Sequence, residues 1–191
     1  MKGGCVKEAE ADLIRKAQKG DNNARNELVN RYYEKIYRAA FRLCGFDREV
    51  AFEATQETFL KLMTRLDSFE GRCSLGTWLY RVLINECLQQ RRKDKIFRKF
   101  LKAWFGNGSS RNLIEPSQVE NLARKEEQCY IKKAMDKLSK QQRLVVTLKV
   151  MEGLTMREVA EILGISEGAV KSHLFRGIRT LKEELGSRSE L

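Results

Sequence analysis

Leu28, Tyr32, Ile36, Ala40 and Cys44 occupy every fourth position of one stretch, and Val29, Tyr33 and Phe41 widen the apolar stripe they form. Side chains four apart share a helix face, so the stretch predicts a helix with a broad buried side that needs partners to cover it. The same three-and-four spacing recurs along most of the 191 residues, which carry a single proline and few consecutive β-branched residues. Strand signals are scarce, and the expected fold class is all-α. Leu13, Ile14 and Ala17 mark an earlier helix, over 8–19, that stops at Gly20. After Gly45, Asp47 offers an N-cap for a third helix to about Leu66, with Ala51, Thr55, Thr58, Phe59, Leu62 and Leu66 facing inward. A fourth begins near Leu75 and turns Leu75, Trp78, Leu79, Val82 and Leu83 inward, while Arg81, Asn85, Leu88 and Arg92 line its other side. These helices can enclose one small core.

Residues 91–102 then hold seven Lys/Arg against one Asp, interleaved further on by Phe97, Phe100, Trp104 and Phe105. Rings can stack on bases while cations meet phosphate, so this block favours contact with nucleic acid or a partner protein over inert surface. From Gly106 to about Gln118 the periodicity fails and Gly, Ser and Asn accumulate, which marks a boundary between modules. Leu122, Ile131, Ala134 and Leu138 open a second module. Ser139 and Gln142 have the spacing of a capping box for a helix through Leu144, Leu148 and Met151 to Gly153. A second such box, Thr155 and Glu158, starts a short helix with Val159, Ala160, Ile162 and Leu163 that breaks at Gly164. Ser166 caps a last helix whose inner stripe is expected at Val170, Leu174, Ile178, Leu181 and Leu185. The expected organisation is two small helical domains, 9–94 and 126–186, joined by a flexible linker, 95–125.

Short helix, sharp turn, longer helix is the geometry that lays a second helix in the major groove. By that reading Gly168, Ser172, Phe175, Arg176 and Arg179 point away from the apolar stripe, flanked by Lys171 and by Ser166 at the helix start, and these are the candidate DNA contacts. A net charge of +11 and a pI near 9.6 agree, because such a surface attracts polyanions. Nucleic acid is favoured over an anionic membrane surface; no apolar run reaches the length of a membrane span and no export signal opens the chain, so a cytoplasmic protein without membrane insertion is expected. Five scattered cysteines lack the two-residue spacing of a zinc site, and Cys44 and Cys87 read as small buried hydrophobes. His173 is the only histidine. With no catalytic set, metal site or cofactor loop in view, the chain is not expected to be an enzyme, nor to carry a metal or cofactor.

The segment Ser166-Glu167-Gly168-Ala169-Val170-Lys171-Ser172 within 155–185 resembles both the C-terminal DNA-reading module of bacterial sigma factors and LuxR-type regulators. Gln56-Glu57-Thr58-Phe59-Leu60-Lys61-Leu62, followed by Gly76-Thr77-Trp78-Leu79-Tyr80-Arg81-Val82 and Asn85, is similar to the core of sigma region two, which LuxR-type proteins lack. The chain thus resembles the compact extracytoplasmic-function sigma factors, with a stand-alone LuxR-like regulator as the alternative. The resemblance implies binding of core RNA polymerase, at its clamp helices and flap, and of promoter DNA as duplex and as melted strand. An anti-sigma factor is a further implied partner. It implies polymerase contacts at Gln56, Glu57, Leu60, Lys61 and Thr64, on and beside the outward face of the third helix. Minus-ten contacts are implied at Phe69, Arg72, Cys73 and Ser74 in a base-capturing loop and at Tyr80, Arg81, Asn85 and Arg92 on the next helix; the last helix would read the minus-thirty-five element. Ala51-Phe52-Glu53-Ala54 stands where family members often carry a more acidic pair, which leaves the promoter sequence open.

Overall fold

The computed structural model describes the backbone over residues 3–105 and 120–186, and side chains over 8–90, at Arg92 and over 129–186. Among the described residues there are α-helices and no strand: α1 Gly3–Gln18, α2 Asn22–Leu43, α3 Arg48–Arg65, α4 Leu75–Phe105, α5 Glu120–Lys137, α6 Lys140–Val146, α7 Met156–Leu163 and α8 Glu167–Gly186. They form two compact units, Met1–Cys87 and Leu88–Leu191. The segment expected as linker is helical at both ends, through Phe105 and from Glu120, while 106–119 and the side chains of Phe97, Phe100, Trp104, Phe105 and Leu122 lie outside the described residues.

In the first unit the starts of α2 and α3 are closed by local side chains. Asp21 accepts from the Asn23 and Ala24 amides, and Asp47 accepts from Val50, satisfying amides that have no partner within the helix. Of the inward positions read from the sequence, Leu28, Ile36, Leu62, Leu66, Leu75, Leu79 and Leu83 are buried, each such side chain contributing about 1.5–3 kcal/mol, whereas Tyr33, expected to widen the α2 stripe, is exposed. Thr55 and Thr58 are buried as well, without an unpaired hydroxyl, because each donates to a carbonyl one turn back, Ala51 and Ala54, at 2.7 Å. Tyr32 joins α2 to α1 by donating to the Glu10 carboxylate. Burial first, and then that bond, push the Tyr32 phenol pKa well above its ordinary value.

The second unit packs Met135, Leu138 and Val146 with Ile131, Met151, Leu174 and Leu181. Both expected capping boxes form, at Ser139 with Gln142 and at Thr155 with Glu158. Two expectations are corrected. The helix opened by Ser139 does not run on as α-helix to Gly153: residues Thr147–Met151 make a π-helical turn, with the Glu152 amide reaching back five residues to the Thr147 carbonyl at 3.0 Å. Within it Leu148 is buried, as expected, while Val150 is exposed. On α8, Ile178 and Leu185 are exposed rather than part of the inner stripe. Gly177 takes the seam instead: a Cβ there would lie 2.9 Å from Val146 Cγ2 and 3.5 Å from Gln142 Cβ, so α8 lies close on α6 and its next side chain turns outward.

Candidate nucleic-acid interface

The turn between α7 and α8 is built from the peptide groups outward. Thr155 Oγ1 accepts from the Glu158 amide at 3.2 Å, and Glu158 Oε2 accepts from the Thr155 amide at 2.8 Å, so α7 starts at one defined residue. It stops just as sharply. Gly164 adopts φ 66° and ψ 35°, a left-handed conformation costly for any residue with a Cβ, and Ile165 donates to the Ala160 carbonyl at 3.1 Å. Ser166 then caps α8 by accepting from Ala169 at 3.2 Å, which leaves its hydroxyl proton to donate elsewhere. Val170 is fully buried and fixes the rotation of α8.

That rotation exposes the candidate set together. Ser166, Gly168, Lys171, Ser172, Phe175, Arg176 and Arg179 are all exposed on α8 or at its start, with Phe175 at 69%. Arg179 makes an exposed pair with Glu183 at 3.5 Å, of the kind worth little and easily exchanged for another anion. The open side of α8 and its start therefore offer two guanidinium groups, an ammonium, two hydroxyls and a ring.

In the first unit, Gln56, Glu57, Leu60 and Thr64 share the exposed face of α3, and Leu60 is 56% exposed. Thr64 donates to the Leu60 carbonyl at 2.9 Å. Lys61 departs from the expectation of an outward contact: it is half-buried and ion-paired with Glu86, which is buried on α4. A buried carboxylate without its cation costs about 3–5 kcal/mol, so Lys61 is held as a tie between helices rather than presented to a partner.

The loop between α3 and α4 is anchored at its start. The Gln18 amide donates to the Leu66 carbonyl at 3.0 Å and to the Phe69 carbonyl at 2.8 Å, across a short 3-10 turn, Leu66–Ser68. Phe69 meets Trp78 edge-on, with ring centres 6.2 Å apart, and Ser74 closes the loop by accepting from the Thr77 amide at 3.0 Å. Between these anchors Arg72 is exposed and pairs with Glu70, while Cys73 is half-buried with Arg81 Nη1 at 3.9 Å from its sulfur. Arg81, Asn85 and Arg92 are exposed along α4, as their spacing predicts. Tyr80 departs from its expected role as well: at 2% exposed, with the Lys35 ammonium 5.7 Å from its ring centre, it is core and offers no stacking face. Gln18 and Glu86 escaped the sequence reading. Glu86 stands in a segment that is otherwise apolar toward the core, and that is the signal that a charge there needs a partner.

Comparison with known proteins follows the same division. Residues 28–96 match the family described as Sigma-70 region 2, and residues 130–181 match Sigma-70, region 4. The chain is 31% identical over 180 residues to the ECF RNA polymerase sigma factor SigW of Bacillus subtilis (strain 168), covering 90% of this chain and 94% of SigW. It is 30% identical over 172 residues to the ECF RNA polymerase sigma factor BldN of Streptomyces coelicolor, covering 89% of this chain but only 63% of BldN. Among solved structures, that of the sigma factor RpoE in complex with the anti-sigma factor NepR from Bartonella quintana is similar, at 27% identity and a TM-score of 0.64 over 85% of this chain and 97% of that one.

Proposed function

Because the chain belongs to the ECF sigma factors of RNA polymerase, we propose that its two units divide promoter recognition as follows. The first, residues 9–94, grips core polymerase and takes hold of the melted minus-ten strand. The second, residues 126–186, lays α8 in the duplex major groove at the minus-thirty-five element, and residues 95–125 tether the two. The observation that carries this reading is the pairing, in one chain, of a polar exposed α3 face bearing Leu60 with a capped helix-turn-helix whose open side is basic. A match of the first unit to Sigma-70 region 2 sets aside the stand-alone LuxR-like regulator.

Gln56, Glu57, Leu60 and Thr64 contact the polymerase clamp helices, and the second unit contacts the flap. Phe69, Arg72, Cys73 and Ser74 frame a pocket for an unstacked promoter base, whose extrusion costs a few kcal/mol that the pocket must offset. Arg81, Asn85 and Arg92 follow the single strand along α4, cations on phosphate and the amide on a base edge. Arg176 is placed to bond a guanine edge; Lys171 and Arg179 meet phosphates, with Ser166 and Ser172 donating hydroxyls and Phe175 giving apolar contact. Gly168 lets the backbone come close. An anti-sigma factor, as bound by the similar RpoE, is a further partner. The protein acts in the cytoplasm beside its polymerase and is not an enzyme itself; no described helix is long and apolar enough to cross a membrane.

Reconstitution tests the reading. Added to core polymerase, the purified chain is expected to direct transcripts from one class of promoter and none from unrelated templates. Tight sequence-specific binding to duplex operators with no polymerase-dependent transcript would refute it.

A further inference from the structure

Cys44 and Cys87 are 43 residues apart in the chain, yet their Sγ atoms approach to 2.9 Å inside the first unit. Both are reduced thiols, and they are 7% and 3% exposed. Cys44 closes α2, and Cys87 lies on α4 directly after Glu86, whose ion pair with Lys61 holds that part of α4 to α3. A disulfide needs the sulfurs about 2.05 Å apart, so the bond requires them to close by only about 0.9 Å from their 2.9 Å contact. Cys73 and Cys129, in contrast, are half-buried and exposed.

We propose that Cys44 and Cys87 form a reversible oxidation site, converted to an intrachain disulfide by a hydroperoxide. The sulfur of Cys44, the less buried of the two, attacks a peroxide oxygen; the O–O bond breaks, leaving a sulfenic acid and, for hydrogen peroxide, one water. The sulfur of Cys87 attacks the Cys44 sulfur, the S–O bond breaks, and hydroxide leaves with the Cys87 proton as a second water. Two thiols and one peroxide thus give one disulfide and two waters, the sulfurs losing the two electrons the peroxide gains. Because the second sulfur is already in contact, this resolution outruns further oxidation of the sulfenic acid. The product ties the end of α2 covalently to α4.

The test uses the full chain with Cys5, Cys73 and Cys129 replaced by Ser, so that Cys44 and Cys87 alone remain of the five cysteines. After hydrogen peroxide, the intact mass is expected to fall by two hydrogens and a non-reducing digest to contain a Cys44–Cys87 linked peptide. Dithiothreitol should reverse both, and Tm in the oxidised form should rise on the order of 10 °C through the closed loop. The unsubstituted chain, digested the same way, gives an independent readout should the triple variant fold poorly. Sulfinic acid at either cysteine without a link, a link between chains, or two thiols untouched at peroxide levels that oxidise Cys73 in the unsubstituted chain would each overturn the proposal.

Discussion

Replacing Gly177 by Ala should destabilise the second unit, although the same change in most helix interiors does the opposite. Alanine favours helix over glycine by up to about 1 kcal/mol. Against that, the new Cβ would stand 2.9 Å from Val146 Cγ2, where carbon atoms at rest sit about 3.5–4.0 Å apart. Val146 cannot swing aside easily: its χ1 is stiff in a helix, it is buried, and it abuts the π-helical turn. Overpacking of this kind costs about 1–3 kcal/mol, so the net loss is on the order of 1 kcal/mol. Gly168, in the same helix, supplies the control, because a Cβ there meets nothing nearer than Ser166 Oγ at 3.9 Å. Gly168→Ala should be neutral or stabilising by a few tenths of a kcal/mol. Gly168 lies in the first turn of α8 and Gly177 in its interior, where alanine's propensity gain is if anything larger, so lower stability of Gly177→Ala than of Gly168→Ala reports the steric contribution. Native-state hydrogen exchange on the full chain, read at amides of α6 and α8, measures it without assuming that the two units unfold together. Equal or greater protection in Gly177→Ala than in Gly168→Ala would show that the α6–α8 seam is looser than the contact implies.

Three other outcomes are expected. Leu60→Glu abolishes co-purification with core polymerase while helical circular dichroism is unchanged, since Leu60 is exposed and supports no core contact; retained binding removes α3 from the interface. Arg176→Ala weakens promoter use by about 1–3 kcal/mol if the guanidinium pairs with a base, scored by transcription at fixed moderate salt, and an unchanged yield takes Arg176 out of the site. For Tyr32, whose folded pKa is raised, the neutral phenol is the favoured folded form, so its contribution is complete below the unfolded value near 10 and declines as pH rises past it. The stability of the natural chain relative to Tyr32→Phe should accordingly be level up to about pH 10 and fall above it, as followed by urea melts across that range; a flat difference at all pH values would mean the phenol titrates equally in both states.

What was legible beforehand was local. Capping boxes at Ser139 and Thr155, the left-handed Gly164, and the outward set on α8 depend on neighbours within a turn or two, and the structure reproduces each. The α3 stripe was readable for the same reason, because one helix period sorts Leu62 from Leu60. What was not readable depends on a distant partner. Lys61 at a helix flank resembles any solvated lysine until Glu86 of α4 is brought beside it. Tyr80 adjoins the inner stripe, and only the assembled fold, which leaves it 2% exposed, decides that it is core. Gly177 reads as a weak point in a helix; the Val146 methyl that requires it is thirty-one positions away.

Gln18 gives the promoter-facing loop a dependence that has practical weight for protein engineering. One amide, on the first helix, secures two carbonyls that set the direction in which the chain leaves Leu66. A graft of residues 69–74 into another scaffold would transplant the tip without its mooring, with two acceptors needing new donors at about 1 kcal/mol each. Chimeras meant to exchange specificity at this position should therefore take the glutamine along with the loop, even though nearly fifty residues of chain lie between them.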